Sequence, residues 1–379
     1  MRNLPPPVRP DEPDGQPMKY RTTTRLLPIA VAALLAALAA PNAAMAQFYK
    51  GKTVTMIVNY PAGGPADIEG RIVARHLGKH IAGNPRIIVK NVGGGGGMIG
   101  SNYLGEVARP DGVTFGFFTW NVIAEILGDP GLRVKYSQFR LIAGVKNPIV
   151  FYMRKDTPPG IKDGADIMKT SGFKALSLDA QSTNTIQQAL ALDLLGIKYT
   201  PVTGYRGLKD VETAILQNEG QLANTSLPGW TASISPTMAK QGIVIPLWQL
   251  TSSGADGSVK RDSAVPEIPT FEEFFAKVRG GKPSGIAYET LRMEVDTLTS
   301  MFRGIFLPPA TDKARLSEMR AGFASLWTDK AFLGDYAKAV KTPPSMVTGE
   351  DGEKIIAKLA NVKPEIKETL TALIKRLSK

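Results

Sequence analysis

The chain has 379 residues, 43% of them hydrophobic and 21% charged, a globular composition with enough length for two domains. Cysteine is absent, which excludes a disulfide framework, thiolate metal sites and a Cys nucleophile, and two histidines leave little material for His-based catalysis. Forty-six Lys and Arg against 34 Asp and Glu give a net charge of +12, which favours anionic partners without choosing among nucleic acid, acidic lipid and a small anion.

Residues 1–46 read as a leader rather than as part of the fold. Lys19, Arg21 and Arg25 form a positive segment, residues 26–40 are an apolar run of 15, and Ala44-Met45-Ala46 is a cleavage signature before Gln47. A membrane span needs about 20 apolar residues, so a secretory signal cleaved after Ala46 is expected instead of an anchor. Residues 1–17 lack any hydrophobic pattern, and a start at Met18 is the reading they suggest. The leader holds five Lys or Arg and three Asp or Glu, so the remaining chain still carries +10. Export argues against nucleic acid despite that charge; a Lys-rich solvated surface or steering of anionic solutes accounts for it.

From Lys52 onward the pattern is strand, glycine-rich turn, helix. The run 54–58 is β-branched and apolar, Pro61 to Gly64 form a turn, and 66–77 has helical spacing of Ile68, Ile72, Val73 and Leu77. A strand over 86–90, a glycine turn over 93–97, a helix over 98–107 and a strand over 113–119 follow. A second stretch, from Ile149 to about Tyr288, repeats the alternation, with strands at 175–178, 198–200 and 243–247 and helices at 185–195 and 207–217. Residues 254–269 are turn formers, 302–308 a buried strand, and 311–327, 329–340 and 349–378 helical, the last broken near Pro364. Continuous apolar strands alternating with helices predict an α/β fold of two domains, each a mostly parallel sheet flanked by helices. Domain 1 is expected from both ends of the exported chain, 47–147 with 296–379, and domain 2 from 148–295, with a ligand cleft between them.

The turns PAGGPAD (61–67) and NVGGGGGMIG (91–100) each follow a strand and open a helix. Such turns aim several backbone amides and the positive end of a helix dipole at one point, which suits an anion. Asp67, near its helix start, complements the dipole and can bond the turn's amides. Neither turn supplies the Gly-Lys-Ser/Thr of a phosphate-binding loop. Gly95-x-Gly97-x-x-Gly100 satisfies the dinucleotide fingerprint, but the next strand ends in Thr119-Trp120-Asn121 instead of the acid that would hold a ribose. His76 and His80 are four apart on one helix without the Glu of a zinc protease between them, and read as surface residues. No Gly-x-Ser-x-Gly elbow is present, so a hydrolase has no visible machinery.

The ordered set PAGGPAD, NVGGGGGMIG, Arg109-Pro110-Asp111-Gly112, Gly204-Tyr205-Arg206-Gly207, Gly220-Gln221-Leu222 and Val265-Pro266-Glu267-Ile268-Pro269-Thr270-Phe271 closely resembles the extracytoplasmic solute receptors of tripartite tricarboxylate transporters, the Bug/TctC family. The resemblance covers essentially all of 47–379. It implies a two-domain periplasmic-binding-protein fold of type II-like form that closes on a small organic carboxylate and delivers it to a membrane permease. It also implies no catalysis, no cofactor or metal, and a monomeric periplasmic protein. Presentation of ligand to a sensor kinase is an alternative that the same site would serve, and a secreted dinucleotide-dependent oxidoreductase a weaker one.

By the same resemblance, the ligand carboxylate sits between the glycine turns, held by amides and waters instead of an Arg. That assigns Tyr60, Pro61, Ala62, Gly63, Gly64 and Asp67 from the first turn, and Gly94, Gly95, Gly96, Gly97 and Met98 from the second. Thr119, Trp120 and Asn121 should line the same cleft, with Ser182, Thr183, Asn184, Asn224, Thr225 and Ser226 from domain 2. Trp120 could stack on an aromatic acid or pack in the hinge. The family commonly has Asp after the Gly-Gln-Val segment where this chain has Ala223-Asn224, which leaves ligand identity open.

Overall fold

The computed structural model describes residues 6–7, 48–254 and 256–378; the expected signal and its cleavage point after Ala46 lie outside the described residues. The apolar run after Lys52 forms β1 (Thr53–Val58), and the first glycine turn leads into α1 (Pro65–Leu77). Pro65 begins that helix, where its missing N–H costs nothing and its fixed φ is already helical. Strand β2 (Arg86–Asn91), the second glycine turn, the short α2 (Met98–Asn102) and β3 (Thr114–Phe118) follow. The helix expected over 98–107 is therefore only five residues of α-helix, followed by a π-type turn over Tyr103–Val107. Next come α3 (Val122–Leu127) and β4 (Arg140–Lys146), before the chain crosses at Asn147-Pro148 into a second sheet.

That sheet contains β5 (Ile149–Arg154), β6 (Phe173–Leu176), β7 (Tyr199–Val202), β8 (Leu222–Ser226) and β9 (Val244–Leu250) in the order β7-β6-β8-β5-β9. Helices α4 (Thr183–Leu194) and α5 (Leu208–Leu216) connect its strands. After α6 (Phe271–Arg279), helix α7 (Ile286–Ser300) returns the chain to the first sheet as β10 (Arg303–Leu307). The chain closes with α8 (Lys313–Leu326), α9 (Lys330–Val340), β11 (Ser345–Thr348), α10 (Gly349–Ala357) and α11 (Pro364–Leu377), the last beginning at the proline that broke the predicted helix.

The first sheet runs β11-β4-β10-β3-β1-β2. Its β1 pairs in parallel with β2 and β3, but β10 is antiparallel to β3 and β4, and β11 is antiparallel to β4. In the second sheet β6 is parallel to β7 and β8, while β5 is antiparallel to β8 and β9. Both sheets are thus mixed where mostly parallel ones were expected. The cause is connectivity: β10 enters its sheet on return from the other one, so it runs against its neighbours. Helices still cover both faces, which makes the strands apolar whichever way they run.

One apolar cluster joins the two sheets. It combines Ile57, Phe118 and Trp120 of the first with Phe151 and Trp248 of the second, bridged by Leu291, Val295 and Leu298 of α7 and by Leu370, Leu373 and Leu377 of α11. Arg376 of α11 makes an ion pair with Asp193 of α4. Within this bridge lies Glu294, fully buried on α7, whose Oε2 accepts from Gln187 Nε2 of α4 at 2.8 Å. Burial pushes its pKa up to about 8, against the lowering effects of Gln187 and Arg292. Among the described residues Gln187 Oε1 and Glu294 Oε1 have no hydrogen-bond partner.

His76 and His80 are not free surface residues. Their Nε2 atoms lie 3.0 Å from Asp335 Oδ2 and 3.0 Å from Asp329 Oδ2, which pins α1 to the middle of α9 and the turn after α1 to its start.

Candidate ligand-binding site

The first glycine turn is held open by its own side chains. Gly63 N donates to Asp67 Oδ2 at 2.9 Å, and Arg71 Nε donates to the same oxygen at 2.9 Å. Asn91 Nδ2 bridges Asp67 Oδ1 at 3.0 Å and the Tyr60 carbonyl at 2.9 Å, tying the turn to β2. Burial alone would raise the Asp67 pKa, but the bonds from Arg71, Gly63 and Asn91 outweigh it and hold the carboxyl below its usual range. Asp67 thus stands behind the turn, occupied by these bonds, as a positioning residue. Among the described residues the amides of Ala62 and Gly64 donate to no protein acceptor. They stand at the N-terminus of the 13-residue α1, where the helix dipole adds to their pull on an anion.

Buried Asn59 links this turn to the second. Its Nδ2 donates to the carbonyls of Thr119 (2.9 Å) and Gly97 (3.2 Å), and its Oδ1 accepts from Thr119 N at 3.1 Å. Gly94 to Gly97 all have positive φ, at 123°, 55°, 58° and 90°, a sequence of conformations that only glycine adopts without strain. Asn121 caps α3 through Ala124 N at 2.9 Å and ties the turn through Gly96 O at 3.3 Å. The turn faces a carboxylate of the chain itself: a Cβ on Gly96 would fall 3.1 Å from Asp179 Oδ2.

The two turns do not share one cavity. Tyr60, Pro61, Ala62 and Gly64 line the first, together with Thr119, Asn184, Ser226, Phe302 and Arg303. Gly94, Gly95 and Gly96 line the second with Tyr60, Asp179, Tyr205 and Arg206. Tyr60 is the wall between them. The second is the roomier, about 200 Å³ against about 70 Å³. Volume does not decide which of them suits an anion. Asp179, whose pKa burial raises, would repel an anion at the second turn once ionised; the first offers unpaired amides and no unpaired acid. Its volume is room for about five waters at roughly 10–15 Å³ each, the scale of a small organic acid.

The floor of the first cavity is charged. Arg303 is 2% exposed and Glu69 fully buried. Arg303 Nε donates to Glu69 Oε2 at 2.7 Å, and Nη1 donates to Thr119 Oγ1. Glu69 Oε1 accepts from Tyr336 Oη at 2.7 Å and Asn147 Nδ2 at 3.1 Å, so both carboxylate oxygens are used. Arg303 Nη2 also lies 2.6 Å from Glu69 Oε2, so the guanidinium and the carboxylate form a buried ion pair.

The remaining sequence-derived candidates divide plainly. Asn184 lines the cavity and is held by Asn224, which donates to the Asn184 carbonyl at 3.0 Å. Trp120 does not reach either cavity; it is fully buried, packs edge-on to Tyr136 and donates Nε1 to the Met301 carbonyl at 2.7 Å. The stacking role is therefore replaced by core packing. Met98 packs on Gly131, Ser182 caps α4, Thr183 is buried in the first turn of that helix, and Thr225 packs on Gly229. Each of these has spent its polar or apolar surface on structure. Arg303, Phe302, Leu178 and Leu208 of the cavity wall were not foreseen. A lone Arg inside the apolar run 302–308 was the available signal, since an unpaired charge is too costly to bury without a purpose or a partner.

The resulting architecture, two mixed sheets meeting at a cavity with a helix N-terminus in its wall, has known counterparts. The periplasmic binding protein BugD superposes with a TM-score of 0.64 at 19% identity, covering 86% of this chain and 98% of its own. MatC from Rhodopseudomonas palustris with bound malate gives 0.59 at 18%, and an R. palustris protein with adipate 0.65 at 17%, both covering 86% of this chain and 98% of their own. The fold is that of the Bug/TctC periplasmic binding proteins. A UPF0065 protein of Agrobacterium vitis is 28% identical over 253 residues, 64% of this chain and 67% of that protein. No protein-family model matches the chain. The Bug/TctC fold places the cavity at the junction of its two sheets, where Gly207 before α5 meets the first turn: a Cβ there would lie 3.3 Å from Pro61 Cδ. Gly207→Val should wedge the two sides apart and weaken ligand binding by about tenfold, one to two kcal/mol of overpacking. Calorimetry on the variant, paired with a melting curve, checks this, and the buried contact should lower the melting temperature by no more than a few degrees.

Proposed function

We propose that this chain is a periplasmic solute receptor that captures a small organic carboxylate in the first cavity and delivers it to a tripartite tricarboxylate-type permease, performing no chemistry. The observation that carries the reading is the pair of unpartnered amides, Ala62 and Gly64, at the N-terminus of α1 in a cavity whose other wall comes from the second sheet. Amides and a dipole bind a carboxylate without the desolvation cost of a dedicated buried cation at that end. The malate and adipate of two structural neighbours belong to the same chemical class. Domain 1 is assigned to 47–147 with 296–379 and domain 2 to 148–295; the two segments that cross between sheets, Asn147-Pro148 and the end of α7, are then the natural hinge.

A thermal-shift screen of mono-, di- and tricarboxylates on unfolded and refolded exported protein tests the reading. A ligand that binds only the folded state raises its melting temperature, so at least one small carboxylate should give a concentration-dependent rise. Silence across the whole panel contradicts the proposal.

A further inference from the structure

We propose that the outer edge of β2 is a docking site for an extended acidic segment of a partner protein, which adds a strand to the first sheet. Strand β2 stands at the end of that sheet, with β1 as its neighbour. Arg86 N donates to the Lys52 carbonyl at 3.2 Å and Val92 N to the Val58 carbonyl at 2.8 Å. In a parallel ladder that phase turns the N–H and C=O of residues 86, 88 and 90 towards β1, and those of Ile87, Val89 and Asn91 outward. Among the described residues these outward groups have no hydrogen-bond partner. Donors and acceptors repeating at this spacing along an open edge are what an added strand pairs with.

The flanks of the edge decide the partner's chemistry. Arg86, Ile88 and Lys90 alternate onto one face of β2 and all three are exposed, Ile88 by 38%. Ile87, Ile88 and Val89 border a groove of about 410 Å³ whose other side is Arg71, Ala74 and Arg75 of α1. Arg71 is tied to Asp67 and Arg75 to Asp335, but Arg86 and Lys90 make no ion pair among the described residues. Lys90 Nζ rests 4.7 Å from the centre of the Tyr103 ring. From Ile72 to Ala108 the one acid is Glu106, and Arg133 occupies both of its oxygens. Cations on an edge deter self-pairing: in an antiparallel pair of two copies centred on Ile88, each Arg86 would face a Lys90, and like charges directly opposite destabilise. The same charges favour a strand with acids opposite Arg86 and Lys90 and a β-branched residue opposite Ile88. The groove shares no residue with the first cavity, so this surface stands or falls independently of the receptor reading.

Fluorescence anisotropy on the exported protein tests this with a labelled peptide, acetyl-Glu-Val-Val-Thr-Glu-Val, and its analogue with Lys in place of both Glu. The acidic peptide should bind at least about tenfold more tightly than the Lys analogue, the scale of two cross-strand charge pairs, and the difference should shrink at high salt. Arg86→Glu combined with Lys90→Glu should invert that preference, with a melting curve within a few degrees of the parent's because both side chains are exposed. Val89→Pro removes one outward donor and leaves the ladder to β1 whole, and should weaken the acidic peptide about fivefold. On peptide addition, amide exchange followed by NMR should slow at Ile87, Val89 and Asn91 and stay unchanged at Ile88, which is already bonded to β1. Equal binding of the two peptides, a preference for the acidic one that survives the double charge reversal, protection confined to other amides, or no binding of either peptide at about 1 mM overturns the proposal. So does a dimer in sedimentation that Val89→Pro dissolves, since the edge would then be taken by a second copy.

Discussion

Gly64→Val is expected to remove carboxylate binding, raising the dissociation constant at least about a hundredfold, while the melting temperature moves by only a few degrees. Gly64 caps α1 with φ −82° and ψ 173°, a conformation open to any residue. A Cβ there meets only the Pro61 carbonyl, at 3.7 Å. The backbone therefore tolerates valine, at about 1 kcal/mol for a poorer cap, and the two methyl groups fill the space in front of the helix N-terminus where the ligand's oxygens belong. The same substitution at Gly96 is not an equivalent test, although the two turns look alike in sequence. Gly96 has φ 58°, and a Cβ there would fall 2.9 Å from Asn121 Nδ2 and 3.1 Å from Asp179 Oδ2. Valine at Gly96 strains the turn and displaces Asp179, so loss of function there reports damaged structure. Isothermal calorimetry paired with a melting curve separates the two cases.

The second large effect concerns pH. Glu294 has its pKa raised from 4.5 to about 8 in the fold, chiefly by burial. Between those values the folded chain holds a proton that the unfolded chain has released, so stability is fully expressed below the unfolded pKa and falls as pH rises towards 8. The slope approaches about 1.4 kcal/mol per pH unit for one proton, a loss of roughly 4 kcal/mol by pH 8. Glu294→Gln keeps an amide partner for Gln187 without a titrating group. It should be nearly neutral at pH 4 and more stable than the parent by several kcal/mol at pH 8. Urea unfolding at the two pH values checks this, and a pH-independent difference would show that Glu294 is ionised inside the fold.

The strands β1 to β3, helix α1 and both glycine turns were legible because apolar runs, punctuating glycines and helical spacing agree there. Helix α7 was not legible: it buries Thr290, Arg292, Glu294, Thr297 and Thr299 between other helices, and those polar residues mask its apolar face. Strand β4 was missed although its interior is buried, and Gly144 within it is required because a Cβ would fall 2.4 Å from Met301 Cγ. Strand direction was illegible for the reason given by β10, since a strand covered on both faces reads the same in either sense. At the site, the turn at 61–64 could be read from backbone requirements alone. The division of the two turns by Tyr60, the Asp179 carboxylate against the second and the buried Arg303 under the first depend on how distant segments meet, which no local pattern encodes.

On the proposed function, the amides of Ala62 and Gly64 receive the ligand. A crystal structure of the protein saturated with its best carboxylate tests it most directly. A carboxylate oxygen is expected within about 3.2 Å of one or both of these nitrogens, or joined to them by a single bridging water, with the ligand lying between Tyr60 and Arg303. A ligand seated instead against Gly94 to Gly96, beside Asp179, contradicts it.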